Sequence, residues 1–428
     1  MRRLVFAIGV LVIAAAAAAQ EAPVVYVKAG HLLDVRSGEM RADQVIVIRG
    51  EKIERVAPAA QVSIPAGARV VDLSRMTVLP GLMDMHTHLT FDSRFHGYRG
   101  LGISLPRETL YGVLNARRTL EAGFTSVRNV GASGYSDVAL RDAVNEGEVP
   151  GPRMLVSGLL LGMTGGHCDD NLLPAEFHYR AEGVADGPWA ARAKVREVIK
   201  YGADLIKICA TGGVLSKGDL PGTQQYTFEE MQAIVDEAHR LGRKVAAHAH
   251  GTEGIKTAIR AGVDSIEHAS LIDDEGIRLA KEHGAFLVMD IYNDDFILQK
   301  GAEMGMLPES LDKEHKLGQL QRDNFARAYR AGARMAFGTD GGVYPHGDNA
   351  KQFPYMVKYG MTPLEAIRAA TLNAAELMGW SDQVGALEAG KFADMIAVEG
   401  NPLSDVTLLE HVRFVMKGGQ VFRDDSRR

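Results

Sequence analysis

Cysteine is nearly absent from this chain: Cys168 and Cys209 are the two in 428 residues. Two thiols rule out a small disulfide-framework protein. They read most simply as two buried thiols, although an oxidising compartment would permit one bridge between them. No Gly-x-Ser-x-Gly segment occurs, which removes the strained serine elbow of the α/β hydrolases. A basic excess is missing too. The formal net charge is −6, so neither nucleic acid nor an anionic membrane surface is an expected partner. Low-complexity tracts and blocks of like charge are absent after the N-terminus. One long hydrophobic run exists, Leu4 to Ala19, preceded by Arg2 and Arg3 and closed by Ala17-Ala18-Ala19 before Gln20. It falls short of the roughly 20 apolar residues that a membrane span needs, and it ends in small residues. The expectation is a signal peptide over 1–19 with an A-x-A cleavage site. That implies secretion across the inner membrane to the periplasm, with no stable membrane anchor. No cysteine follows the run, so a lipid anchor is not expected either.

Hydrophobic residues make up 46% of the chain, enough for a large core. The two ends share one texture: short apolar runs punctuated by glycine-bearing turns. Val24-Val25-Tyr26-Val27 and Val45-Ile46-Val47-Ile48 stand near the start, and Met395-Ile396-Ala397-Val398 and Phe414-Val415-Met416 near the end. Such runs read as hairpins. Neither end could bury a sheet face alone, so both are expected in one small β-sandwich. Between them, strand-like runs alternate with helical stretches. The runs are 77–85, 124–130, 153–158, 204–210, 244–248, 264–267, 285–289 and 334–337. Helical periodicity lies between most of them, as in 228–241 and 252–261. Glycines such as Gly202, Gly262 and Gly332 stand just before strands, where a helix C-cap needs them. Eight β-then-α units predict an α/β fold, a closed (β/α)8 TIM-like barrel. The expected division is 20–79 and 384–428 for the sandwich and 80–383 for the barrel.

In such barrels the reactive groups gather where strands end. Run one ends Asp84-Met85-His86-Thr87-His88. Residues two apart on a strand face the same way, so His86 and His88 can grip one cation. Run five ends His248-Ala249-His250, run six ends Glu267-His268, and run eight is followed by Thr339-Asp340. Run four carries Lys207 within Leu205-Ile206-Lys207-Ile208-Cys209. A buried ammonium is costly unless paired or neutralised. Beside this many imidazoles, the reading is a neutral amine that has added carbon dioxide, giving a carbamate able to bridge two cations. Asp340, next to Gly341-Gly342, could both hold a metal and take a proton from the attacking water. His250 faces the side His248 faces and could touch substrate or orient a ligand. His96, His178 and His346 read as surface histidines in loops, and His239, His283 and His411 as solvent-facing.

Taken together, Pro80-Gly81-Leu82-Met83-Asp84-Met85-His86-Thr87-His88, Lys207, His248, Glu267-His268 and Gly338-Thr339-Asp340 resemble the ligand set of the binuclear amidohydrolase superfamily. The tail from Gly385 to Asp394 is similar to that family's return into its sandwich, and the intervals 207–248, 248–268 and 268–340 agree with its pattern. Within it, the likeness is to the imidazolonepropionase-like branch, which includes Xaa-Pro and other Xaa-amino-acid dipeptidases and ochratoxin-hydrolysing amidases. The resemblance implies His86, His88 and Asp340 on one metal, His248 and His268 on the other, and carboxylated Lys207 between. Thr164-Gly165-Gly166-His167 and Gln225-Tyr226-Thr227 also look like that branch. They imply His167 polarising the scissile carbonyl and Tyr226 binding the substrate carboxylate or the developing oxyanion. Val127-Arg128-Asn129 departs from an Arg-Asp pair found in many relatives, which puts hydrogen bonding near the second strand in doubt.

The expected chemistry is hydrolysis of the amide bond of a dipeptide or N-acyl amino acid by water activated between two divalent cations; imidazole-rich sites suit zinc. The partner is a small-molecule substrate, and a homo-oligomer is expected of such relatives. Other readings are a cyclic-amide hydrolase acting on imidazolone- or hydantoin-like rings, a lactonase, and a periplasmic binding protein without turnover. Secretion counts against the ring-opening reading, and Asp340 in a catalytic position against the last.

Overall fold

Gly81 divides the first apolar run. That run reads as one strand over 77–85, but the chain ends one strand at Pro80 and starts another at Leu82. A Cβ at position 81 would lie 2.1 Å from the Thr125 hydroxyl, so a glycine is needed where the chain passes from one sheet to the next. The computed structural model describes residues 23–426; the signal-peptide expectation over 1–19 lies outside them.

Strands β1 (Val24–Asp34), β2 (Glu39–Arg49), β3 (Lys52–Pro58) and β4 (Arg69–Pro80) come first. Then follow β5 (Leu82–Thr87), β6 (Phe124–Asn129), β7 (Arg153–Val156), β8 (Leu160–Leu161), β9 (Leu205–Cys209), β10 (Lys244–Ala249), β11 (Ser265–His268) and β12 (Phe286–Val288). The chain closes with β13 (Met395–Val398), β14 (Phe414–Lys417) and β15 (Gln420–Asp424). The two ends of the chain meet in one seven-stranded mixed sheet, ordered β15-β14-β13-β4-β1-β2-β3. Its β1–β4 pair is parallel and the rest antiparallel. Alternate residues of these strands, including Val25, Val27, Ile46, Ile48, Met395 and Phe414, bury one shared apolar cluster.

The middle of the chain is α/β. A five-stranded parallel sheet runs β12-β11-β10-β9-β8 and a three-stranded one runs β5-β6-β7. Helices α1 (Leu105–Glu121), α2 (Ser136–Asn145), α3 (Pro188–Lys200), α4 (Phe228–Arg240), α5 (Thr252–Ala261) and α6 (Asp274–His283) alternate with the strands, and α7 (Asn293–Met304) and α8 (Pro308–Arg330) follow β12. Thr227 and Glu230 make a reciprocal capping box at the start of α4, which satisfies two of the N–H groups a helix start leaves free. Gly262 ends α5 at φ 97°, the left-handed cap that the Ala261-Gly262 phrase anticipated. Strand β9 is buried along its whole length, as a strand covered on both faces must be.

The expected eighth strand, 334–337, is not a full ladder. It makes one parallel bridge, Leu287 to Met335, and passes backbone bonds to both sheets: Leu287 N to Arg334 O at 2.8 Å and Met85 N to Phe337 O at 2.9 Å. At the other edge Asp204 N donates to Val156 O at 2.7 Å. No helix among the described residues is long and apolar enough to cross a membrane.

One covalent link corrects the sequence reading. Cys168 and Cys209 are not two buried thiols but a disulfide, with Cα atoms 5.9 Å apart. The two lie 41 residues apart, and sequence spacing carried no hint that the loop after β8 returns to the end of β9.

Candidate metal centre

The strand ends expected to converge do so. Around an inner cavity of about 80 Å³ stand His86 and His88 from the end of β5, Lys207 from β9, His248 and His250 from β10, His268 from β11, and Asp340. Ligand-type atoms of His86, His88 and Asp340 lie within 4.8 Å of one another, and so do those of His248, His250 and His268. A third such group is His268, Asp290 and Asp340. Asp340 Oδ1 is 3.3 Å from His86 Nε2 and 3.2 Å from His88 Nε2. His268 and Asp340 both occupy left-handed backbone, at φ 66° and 56°. Such non-glycine positions cost on the order of 1–3 kcal/mol each and concentrate at functional sites.

Ring tautomers decide whether this donor set suits cations. His88 Nδ1 donates to Gly131 O at 3.1 Å, and His248 Nε2 donates to Gly212 O at 3.3 Å. His268 Nδ1 bonds Asp290 Oδ1 at 2.8 Å, and His86 Nδ1 faces Glu267 Oε2 at 3.5 Å. In each ring one nitrogen points at a carbonyl or carboxylate, so the other carries its lone pair towards the cavity. That is the arrangement by which outer groups orient metal-binding histidines, and the residues present fit divalent cations. Burial holds His86, His248 and His250 well below the ordinary histidine value, which keeps them neutral. His268 goes the other way: burial lowers it, but the charge of Asp290 and the bond to it prevail. Burial would raise Asp340, yet the neighbouring His88, His268 and Lys207 outweigh it and hold it well below the carboxylate range.

Lys207 is 1% exposed and its Nζ has no hydrogen-bond partner. Burial lowers its pKa to about 8, against the opposing charges of Glu267 and Asp340. An unpaired buried ammonium is costly, and a neutral amine is within reach near pH 8.

His167 joins the group. Its ring stacks on that of His248, centroids 4.1 Å apart, and burial lowers its pKa to about 4. Tyr226 does not join. It is fully buried, lines neither cavity, and donates its hydroxyl to Ala185 O at 3.1 Å. Tyr226 stands at a bend and packs into the core, while its neighbour Gln225 turns to His167, accepting the His167 N–H at 2.9 Å. The substrate-binding role expected of Tyr226 is therefore withdrawn. His346 is another correction. It is 6% exposed, bonded through Nε2 to Phe91 O, because its loop folds under the 88–92 turn. His96 is half-buried and lines the outer cavity, bonded to Val343 O. His178, His239, His283 and His411 are exposed as expected.

Several neighbours were missed in the sequence. Asp290 follows the seventh run directly, so the strand-end rule applied to 285–289 would have found it. Asn293, whose Nδ2 reaches Asp290 Oδ2 at 3.0 Å and Asp340 Oδ2 at 3.3 Å, sits at the start of α7 with no motif around it. Beyond the metal-type ligands opens an outer cavity of about 860 Å³. It shares His88, His167, Asp340 and Val343 with the inner one. Its walls include Phe91, Phe95, Leu105, Tyr111, Leu173 and Phe177, and among the described residues no lysine or arginine lines it.

Comparison with known proteins agrees with this geometry. Residues 77–422 match the pattern of the amidohydrolase family. The chain is 36% identical over 431 residues to an ochratoxinase of Aspergillus niger, covering 95% of this chain and 88% of that protein. A crystal structure of a Xaa-Pro dipeptidase with bound methionine in the active site is similar at a TM-score of 0.88 and 39% identity, covering 94% of this chain and 100% of that one. An imidazolonepropionase of Geobacillus sp. (strain WCH70) is 24% identical over 445 residues, covering 95% and 94%.

Proposed function

We propose, from the premise that this chain belongs to the amidohydrolase family, that it hydrolyses the amide bond of dipeptides or N-acyl amino acids at a two-cation centre. The observation that carries this reading is Lys207. It is a buried amine without a partner, lining the same inner cavity as two groups of histidines that each have ligand geometry. Adding carbon dioxide to that amine forms an N–C bond and releases one proton. It puts a negative, two-oxygen head where an ammonium would repel cations. His86, His88 and Asp340 would hold one ion and His248 and His268 the other, with carboxylated Lys207 between them. The imidazole-rich set favours zinc. His250, in reach of His248 and His268, is a ligand or a substrate contact.

When bound, such ions lower the pKa of water from 15.7 towards about 7 and polarise a carbonyl. The chain's own part is orientation and proton transfer. Asp340 turns Oδ1 to His86 and His88 and leaves Oδ2, steadied by Asn293, to take the proton of the attacking water. The same carboxyl then returns the proton to the leaving nitrogen. His167 lines both cavities, which supports a place beside the scissile carbonyl, where preorganised polar groups contribute most. The outer cavity, whose aromatic and aliphatic walls are interspersed with acidic residues such as Asp92, Glu108 and Asp170, is far roomier than a five-membered ring requires, so the linear substrate is preferred over the ring-opening reading.

The architecture is read to match. The two parallel sheets and segment 334–337 form one barrel, residues 80–383, and the remaining segments 20–79 and 384–428 form the small β domain. A disulfide persists in oxidising compartments, which supports export by a peptide at 1–19. The test is a metal assay on purified protein combined with a panel of dipeptides and N-acyl amino acids. Two ions per chain and release of a free amino acid are expected. Full turnover after exhaustive chelation would refute the proposal, and ring opening without amino-acid release would move it to the cyclic-amide class.

A further inference from the structure

The loop after β9 builds a hydrogen-bonded chain that ends on His167 and that the hydrolytic reading does not use. His167 Nδ1 lies 2.7 Å from Ser216 Oγ, and Ser216 Oγ lies 2.6 Å from Asp219 Oδ1. Asp219 Oδ1 also accepts from Lys313 Nζ of α8 at 3.0 Å. Its Oδ2 accepts from Gly213 N at 3.2 Å and Gln225 Nε2 at 3.1 Å. Every partner of this carboxyl is a donor, so it acts as a carboxylate with both oxygens engaged. Lys313 in turn donates to Gly213 O, Ser216 O and Asp219 Oδ1. Its three protons meet three acceptors, and its side chain is only 10% exposed.

Counting protons fixes the direction of the chain. A serine hydroxyl has one proton and two lone pairs. Asp219 Oδ1 has no proton to give at 2.6 Å, so the Ser216 proton must lie on that line. Ser216 Oγ then has only lone pairs to offer His167, and Nδ1 must be the donor. A neutral imidazole carries one N–H, so Nε2 is bare. Nε2 has no hydrogen bond within the described residues, and its ring lines both cavities.

We propose that Ser216 and Asp219 are positioning residues that lock His167 as its Nδ1–H tautomer, so that it meets the substrate with a bare Nε2, a proton acceptor rather than a standing hydrogen-bond donor. In that state His167 reaches a carbonyl through a bridging water that donates one O–H to Nε2 and the other to the carbonyl oxygen, so no proton changes its heavy atom. No proton travels along Ser216; the serine and the carboxylate keep Nδ1–H in place throughout, the part a buried aspartate plays behind the histidine of a serine-protease triad. Gln225, from a motif noted in the sequence, completes the arrangement. It gives Nε2 to Asp219 and takes the backbone N–H of His167 on Oε1, which ties ring and backbone to one carboxylate.

The inference deepens the hydrolytic reading and rests on it for its catalytic meaning, but its test does not need turnover. Imidazole 15N spectra of the purified full-length protein, loaded with a diamagnetic divalent ion, report which ring nitrogen is protonated; the His167→Gln variant identifies the His167 signals. The wild type should show a protonated Nδ1 and an unprotonated Nε2. Ser216→Ala should shift the ring towards Nε2–H, and Ser216→Thr, which keeps a hydroxyl, should restore the wild-type pattern. The kcat for an amide should fall at least about tenfold in Ser216→Ala with KM little changed; the ~10⁴ loss of a wrong tautomer in the serine-protease triad is the ceiling. A wild-type ring protonated at Nε2, or a tautomer indifferent to Ser216→Ala, overturns the inference. If the wild type cleaves no amide, the hydrolytic reading falls while the spectra still judge the tautomer.

Discussion

Breaking the Cys168–Cys209 bridge should cost both stability and turnover, for separable reasons. Cys168→Ser is the cleanest perturbation. Position 168 is half-buried while Cys209 is fully buried, so the change removes the cross-link with the least cavity. The bridge closes a loop of 41 residues. Loop-closure entropy, −2.1 − 1.5R ln n per kelvin, then gives about 4 kcal/mol at 25 °C. A chain of 428 residues at about 2.1 cal/mol/K per residue unfolds with an entropy near 0.9 kcal/mol/K, so the melting temperature should drop by about 4–5 °C. Calorimetry of wild type and variant measures this directly. Thiol titration of the denatured wild type, without reductant, should find no free thiol.

The effect on turnover has a different origin. Cys168 adjoins His167, and Cys209 lies two residues beyond Lys207. The bridge therefore ties the loop that carries His167 to the strand that carries Lys207. Releasing it should lower kcat more than it changes metal content. Two free thiols in the wild type, or an unchanged melting temperature, would refute the cross-link argument. A lowered melting temperature with kcat intact would refute the claim that the bridge holds His167 in place.

Asp340→Asn should lower kcat by about 10²–10⁴, the range for a positioned acid–base group, while His86 and His88 retain metal; near-normal kcat would remove Asp340 from proton transfer. Asp290→Ala leaves His268 Nδ1 without its partner and should weaken metal binding about 10–100-fold, read by competition with a chelator; unchanged affinity would show the 2.8 Å bond to be incidental. His239→Gln tests a pH dependence away from the centre. The bond to Asp264 raises the His239 pKa above its ordinary value. Its contribution is therefore full below about 6.5 and fades as pH rises through the folded-state value. The variant should be less stable than wild type at pH 5.5, by under about 1 kcal/mol because the pair is largely exposed, and equal to it at pH 9. A larger loss at alkaline pH would contradict the assignment.

The candidate ligands were legible because the rule that finds them is local. A histidine or aspartate at the end of an apolar run is visible in the sequence, and alternation along β5 puts His86 and His88 on one side. What stayed hidden depends on three-dimensional return paths. The loop 162–168 folds back onto the end of β9, which makes the disulfide and brings His167 over His248, and no spacing encodes that. Tyr226 failed for a local reason: at the bend it occupies, Gln225 turns to His167 and Tyr226 turns to the core. His346 failed because a loop histidine next to Pro345 reads as exposed until the loop is seen packed under Phe91. Segment 334–337 makes one bridge to β12 and one hydrogen bond to β5, and an apolar run of four could not distinguish ladder from link.

The departure at Val127-Arg128-Asn129 shows how the polar groups beneath the ligands depend on one another. Arg128 is 2% exposed and donates to Met85 O, Ser265 Oγ and Glu267 Oε1. That leaves Glu267 Oε2 3.5 Å from His86 Nδ1, an approach without a hydrogen bond. Asn129 works on the neighbouring histidine. Its Oδ1 accepts the Leu89 N–H at 2.6 Å, and its Nδ2 donates to Gly131 O and to Asp137 Oδ2 at 3.2 Å each. Gly131 O is also the acceptor for His88 Nδ1, so Asn129 steadies the carbonyl that fixes the His88 tautomer. An aspartate at 129 would have no N–H for Asp137. It would set two buried carboxyls side by side, one of which, Asp137, burial already raises to about 6. Asn129 and Asp137 therefore form one unit. The hydrogen bonds near the second barrel strand that the sequence put in doubt are made by Asn129 itself, with Asp137 of α2, eight positions further on, as the acceptor that holds its amide in place.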